Sequence, residues 1–212
     1  MTNRFNEDQR QFFNTADAGH FFWQTQNPYV ARTERELLSG LPVASSGPVL
    51  EVGCGEGGNI TNAPSANASN TLVVGLDLFE RKVRFARQVG VRATFVCGDV
   101  LALPFQNSTF DLILCRDVLH HVDDRERALS ELRRVCRVGG TVWIVEPNGW
   151  NPLMRLLAVV RRHERGLLRN SIGSLQRLVS SQFPTANYHL RQPMPIYRLI
   201  LHYQFGIPAL GR

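Results

Sequence analysis

The sequence predicts an α/β chain with a three-layer, Rossmann-like arrangement around a mostly parallel, twisted sheet. Two observations carry this. Apolar runs of strand length alternate with helically spaced segments from about residue 48 to 146, and the first apolar run leads straight into a glycine-dense turn. In order, we expect a strand near 48–53, a helix near 57–64, strand 71–76, helix 79–89, strand 92–97, strand 110–115, helix 124–137 and strand 140–146. Pro104 and Asn107-Ser108 punctuate the one long connection. In the helix that follows, Ala128, Leu129, Leu132 and Val135 recur at helical spacing. Asp123 or Asp124 is placed to cap its start and Gly139-Gly140 to end it.

The turn reads Val49-Leu50-Glu51-Val52-Gly53-Cys54-Gly55-Glu56-Gly57. Glycines here permit positive φ and close approach of a bulky ligand, and a following helix would point free N–H groups at it, which makes a cradle for a nucleoside cofactor. The glycine pattern alone leaves the cofactor open, because Gly53, Gly55 and Gly58 also satisfy the dinucleotide spacing G-x-G-x-x-G. Glu51, an acid inside so apolar a strand, would be costly to bury without a partner.

Further runs narrow the choice. After E-x-G-x-G-x-G at Glu51, Gly53, Gly55 and Gly57 come Leu72 to Asp77, an acid ending the next strand, then Gly98-Asp99-Val100, the run Phe110 to Val122 with His120-His121 inside it, and Leu132 to Thr141. Five such runs in order resemble a class I methyltransferase dependent on S-adenosylmethionine (SAM), of the small-molecule branch. The resemblance implies SAM as cofactor, held by Glu51, Gly53, Cys54, Gly55, Gly57, Asn59, Asp77, Leu78, Asp99, Val100 and Cys115. In that reading Asp77 accepts the ribose hydroxyls, Asp99 the adenine amino group beside the Val100 backbone, and Glu51 receives the methionine ammonium directly or through water. His121 is a candidate general base or part of a shelf under the cofactor, and Asp117 either caps the next segment or faces the substrate. No metal site is expected.

Past Glu146-Pro147-Asn148 the chain departs from the family. Segments 152–160 and 172–181 look helical and 186–191 could be a sixth strand, but the C-terminal antiparallel strand is either missing or replaced. An exposed fifth-strand edge would then need cover, from the stretch Tyr197 to Phe205 or from a second chain as a homodimer. In segment 151–169, Leu153, Leu156, Leu157 and Val160 are expected to make an apolar face edged by Arg155, Arg161, Arg162 and Arg165. That suits a lid over an apolar or anionic substrate, or peripheral contact with a membrane.

Composition sets the outer bounds. At 212 residues and 43% hydrophobic, the chain can bury one sizeable core. We divide it into an N-terminal helical and aromatic cap (1–45), with Trp23 and Tyr29 as closing rings, and a methyltransferase domain (46–212) whose core is 48–147 and whose helices and lid are 148–212. No apolar run is long enough to span a bilayer and the start is polar, so a cytoplasmic location is expected. Cys54, Cys97, Cys115 and Cys136 have no C-x-x-C spacing and are expected to be reduced thiols. Net charge is +6, almost all of it arginine, yet the basic residues spread over helix faces without interleaved aromatics. Solvated faces therefore account for them better than a nucleic-acid interface. The expected activity is methyl transfer by direct displacement to an O, N or C nucleophile of a small metabolite. The alternatives are a degenerate SAM- or nucleoside-binding module and a nicotinamide-dependent oxidoreductase.

Overall fold

The computed structural model describes residues 47–62, 71–88, 90 and 92–186, with isolated positions upstream at Gln11, Pro28, Arg32, Arg35, Glu36 and Leu38. The expected aromatic cap, the loop after Asn62, the sixth strand and the segment Tyr197 to Phe205 lie almost wholly outside these residues. Five strands form one sheet: β1 (Val49–Val52), β2 (Val73–Asp77), β3 (Thr94–Cys97), β4 (Phe110–Arg116) and β5 (Cys136–Val145). Their order is β3-β2-β1-β4-β5 and every pairing is parallel. The described helices are α1 (Gly58–Asn62), α2 (Glu80–Ala86), α3 (Arg125–Val135), α4 (Pro152–Val160) and α5 (Ile172–Gln182), with 3₁₀ segments at Leu119–His121 and Arg162–Arg169.

The period of two along each strand sorts the side chains into two cores. Leu50, Val52, Val74, Leu76, Ile113 and Cys115 join Ala128, Leu129, Leu132 and Val135 of α3 in one cluster, with Leu175, Leu178 and Val179 of α5 packed against it. On the other face Val49, Val73 and Leu112 meet Ile60 of α1, Val83 and Ala86 of α2, and Phe95 of β3. Parity has a second consequence. Glu51, Asp77 and Arg116 share the α1/α2 face with these residues, so three charged side chains lie near the carboxyl ends of β1, β2 and β4 on one side of the sheet. Ligands of open parallel sheets bind at those carboxyl ends, where the strand order reverses, here between β1 and β4.

Two sequence expectations change. Gly139-Gly140 does not end α3. The helix stops at Val135 and Cys136 is already extended, paired with Phe110. Between the pairs Phe110–Cys136 and Leu112–Thr141, two steps along β4 match five along β5, and Gly139 absorbs the irregularity at φ +79°. The strand therefore begins before the glycines, and Glu146 emerges immediately after it. Among the described side chains of α4, Met154 and Ala158 are buried while Leu156, Val159 and Val160 are exposed, so Leu156 and Val160 of the expected apolar face point away from the core.

The arginines of α3 are exposed or half-buried, and several are tied down by hydrogen bonds. Asp124 caps the helix by accepting the Arg127 N–H at 2.9 Å, Arg127 donates to the Leu101 carbonyl, and Arg133 reaches the Gln182 carbonyl of α5. Arg134 donates to the carbonyls of Leu103 at 2.9 Å and Phe105 at 2.7 Å and pairs with Glu131, whose carboxylate takes the Leu103 N–H. The Arg134 hydrogen bond holds the Glu131 carboxyl below its ordinary range. One guanidinium thus fastens the long connection between β3 and β4. Because Arg134 is a third exposed, its loss should cost about 1–2 kcal/mol. We expect Arg134→Ala to lower the urea midpoint accordingly, and Arg134→Lys to recover little of it, since an ammonium cannot reproduce the planar fork. An unchanged midpoint in Arg134→Ala would remove the clamp.

Candidate functional site

The loops leaving β1 and β4 touch. A Cβ on Gly53 would run into the Val118 side chain, so only glycine lets the two turns close on each other. Gly55 has φ +53° and nothing within 4 Å of where a Cβ would stand, so its bare backbone borders open space. Asp77 holds that turn in place. One carboxylate oxygen accepts the Gly55 N–H and the other the Phe79 N–H, both at 2.9 Å. Asp77 is 4% exposed, and its remaining lone pairs are still available to a ligand hydroxyl.

Glu51 ends a three-residue relay. Asn59 of α1 donates to Glu51 Oε1 at 2.6 Å and accepts from Arg116 at 2.7 Å, and Arg116 in turn lies 3.4 Å from Asp117. Burial pushes the Glu51 carboxyl up to about 8, against the pull of Asn59 and Arg116. Its other oxygen, Oε2, is buried without a hydrogen-bond partner. A buried carboxylate oxygen without a donor is unfavourable, so the site is prepared either for a proton or for an incoming cationic donor.

Across the gap, Asp117 turns the chain out of β4 with φ +54°, a conformation that aspartate tolerates better than most residues. It does not cap the 3₁₀ segment. Glu146 does, accepting the N–H groups of Val118, Leu119 and His120 on its two oxygens at 2.9, 2.7 and 3.2 Å. The same carboxylate takes the His120 ring at 2.7 Å and the Asn170 amide at 2.8 Å. Burial alone would lower the His120 pKa, but the Glu146 charge overrides it and lifts the group to about 10. His121 stacks on His120, ring centroids 3.9 Å apart, and burial with that neighbour presses its pKa down to about 3. His121 is therefore neutral and a weak proton acceptor in this state.

The other predicted residues divide by what they expose. Asn59, Glu51, Gly53, Gly55 and Asp77 come together around the β1 turn. Cys54 and Cys115 are 3% and 0% exposed in the core, which leaves only their backbones for a ligand. Leu78 is 45% exposed beside Asp77, Gly57 has Phe95 against it, and Asp99 accepts the Leu101 N–H at 2.9 Å with Val100 buried next to it. Sequence reasoning missed Arg116, Glu146, Glu164 and Asn170. Arg116, a cation ending an apolar strand, was the one visible signal; the others depend on partners distant in the chain.

Residues 50–144, just under half of the chain, match the family described as Methyltransferase domain. Over these residues the chain is similar to a methyltransferase domain. Among curated proteins it is 38% identical over 117 residues to the demethylmenaquinone methyltransferase of Roseiflexus castenholzii, covering 54% of this chain and 48% of that protein. It is 28% identical over 131 residues to the 27-O-demethylrifamycin SV methyltransferase of Amycolatopsis mediterranei, covering 57% and 47%. The chain thus spans about half the length of these relatives. Among solved structures, the plantazolicin methyltransferase in complex with SAH superposes with a TM-score of 0.65 at 14% identity, covering 84% of this chain and 74% of that one. A SAM-dependent methyltransferase from Thermotoga maritima gives 0.60 at 22% identity, covering 84% and 80%. These likenesses establish the mostly parallel Rossmann-like fold of the domain. No described helix is long and apolar enough to cross a membrane.

Glu51 makes stability depend on pH in a definite direction. Its folded pKa lies above the ordinary 4.5, so its contribution is present below about 4.5 and is lost as pH rises through about 8. Between pH 6 and 9 the ligand-free protein should lose about 3 kcal/mol from this group. Glu51→Gln, which keeps an acceptor for Asn59, should lose correspondingly less in urea titrations at the two pH values. Identical losses in the two proteins would contradict the assignment.

Proposed function

We propose that this chain binds SAM at the carboxyl ends of β1 and β2 and transfers its methyl group to a nucleophile on a small-molecule acceptor. The observation that carries this is the orphaned Glu51 Oε2, buried beside an open glycine turn and backed by Asn59 and Arg116. An acceptor of that kind fits the methionine end of SAM, whose ammonium would donate the missing hydrogen bond. Asp77, already anchoring Gly55, would take the ribose hydroxyls, and Asp99 with the Val100 backbone would border the adenine. Cys54, Gly57, Leu78 and Cys115 would complete the wall.

When bound, SAM supplies an activated methyl group on a sulfonium. The chain's part is then to hold an acceptor in line with the S–CH₃ bond and to keep water away. No base is required for an amine or a phenolate. His121 and Asp117, just past the end of β4, would orient the acceptor, and His121 would act as base only if acceptor binding raised its pKa. The acceptor we favour is a largely apolar metabolite, since relatives are named for demethylmenaquinone and demethylrifamycin substrates and the exposed Leu156, Val159, Val160 and Trp150 give α4 and its approach an apolar surface.

Calorimetry on the full chain tests the reading. SAM and SAH should each bind at one site while NADH gives no heat, and Asp77→Ala should weaken SAH by about 1.5–3 kcal/mol, the worth of hydrogen bonds to a charged group. Binding of NADH in preference to SAH, or unchanged SAH affinity in the variant, would overturn the cofactor assignment or the ribose role respectively.

A further inference from the structure

Beside the proposed acceptor mouth lies a group of side chains of which only His121 has been given a part in methyl transfer. His120, His121 and Glu164 each offer one ligand atom, and these three atoms lie within 4.8 Å of one another. They come from two separate pieces of chain, the 3₁₀ segment after β4 and the 3₁₀ segment after α4, which pack together. His120 Nε2 stands 3.6 Å from Glu164 Oε2, an ion pair beyond hydrogen-bond length, in which a metal ion would take the place of the His120 proton. Two donors sharing a tetrahedral ion at about 2.0–2.2 Å sit roughly 3.4 Å apart, close to that separation.

The surroundings complete the pattern. Glu146, 1% exposed, holds His120 through Nδ1 at 2.7 Å, which orients the ring and directs Nε2 toward Glu164. A carboxylate on the far nitrogen of a histidine is the usual outer partner of a metal-bound imidazole. Glu146 is itself fixed by three backbone N–H groups and by Asn170, so this support is rigid. His120 is 2% exposed and Glu164 21%, which leaves an approach from the Glu164 side.

We propose that His120, His121 and Glu164 form a binding site for one divalent transition metal ion of the zinc class, with Glu146 as the outer carboxylate that positions His120. This departs from the sequence expectation of no metal. Two imidazoles and one carboxylate suit zinc or cobalt rather than magnesium or calcium, which favour all-oxygen sites. Three protein ligands leave a tetrahedral ion one position for water or an oxygen of a bound molecule.

The test uses the full-length, metal-stripped chain titrated with ZnCl₂ or CoCl₂ alone. One ion per chain, a tetrahedral Co²⁺ visible spectrum, and at least about tenfold weaker binding in Glu164→Gln are expected. X-ray absorption at the zinc edge of the unaltered protein should show two imidazole ligands, a readout that needs no variant to fold. No binding, an octahedral Co²⁺ spectrum, a sulfur ligand, or unchanged affinity in a folded Glu164→Gln would each overturn the site. SAH affinity measured on the same sample separates failure of this inference from failure of the cofactor reading.

Discussion

A carboxylate buried in the middle of β1 is the constraint on which the cofactor end of this molecule depends. Glu51 is 2% exposed and flanked by strand residues of the core, and an isolated charge there would be prohibitive. The structure answers with Asn59 on one oxygen and Arg116 behind Asn59, and leaves the second oxygen open. Because Arg116 ends β4 and Asn59 lies in the first turn of α1, satisfying one acid ties together three elements. The turn between β1 and α1 is held to the start of the next loop by the same requirement, and Asp77 fastens its far side.

A second buried carboxylate, Glu146, organises the opposite lip. It gathers three backbone N–H groups, one imidazole and one amide, and so fixes the turn after β4 as firmly as Asp77 fixes the turn after β1. The two acids differ in a way that matters for chemistry. Glu146 is fully hydrogen-bonded and held below the ordinary carboxylate range despite its burial, by His120 and its other donors. Glu51 is incompletely bonded and held above it. One has the character of structural support and the other that of a seat awaiting an occupant.

Much of this was legible in the sequence. The strands around 49, 73, 94 and 110 and the helix at 125–135 follow from apolar period, and the glycine turn with Asp77 follows from backbone freedom and the strand-ending acid. What escaped was set by contacts between distant residues. Gly139-Gly140 looks like a helix stop, but pairing of Cys136 with Phe110 draws the chain into the sheet first. Arg134 looks like a solvated cation until the β3–β4 connection lies beneath it. Glu164 carries no local signal, and only the packing of two 3₁₀ segments brings it to His120.

The central claim is that the unoccupied lone pairs of Glu51 are the seat for the methionine end of the cofactor. A crystal structure of the chain soaked with SAH tests it most directly. The account predicts the SAH amino group within about 2.7–3.2 Å of Glu51 Oε2 or joined to it by one ordered water, with the Asn59 and Arg116 relay unchanged. SAH bound with its amino acid end directed away from Glu51, or absent from the β1 turn while bound elsewhere, would contradict it.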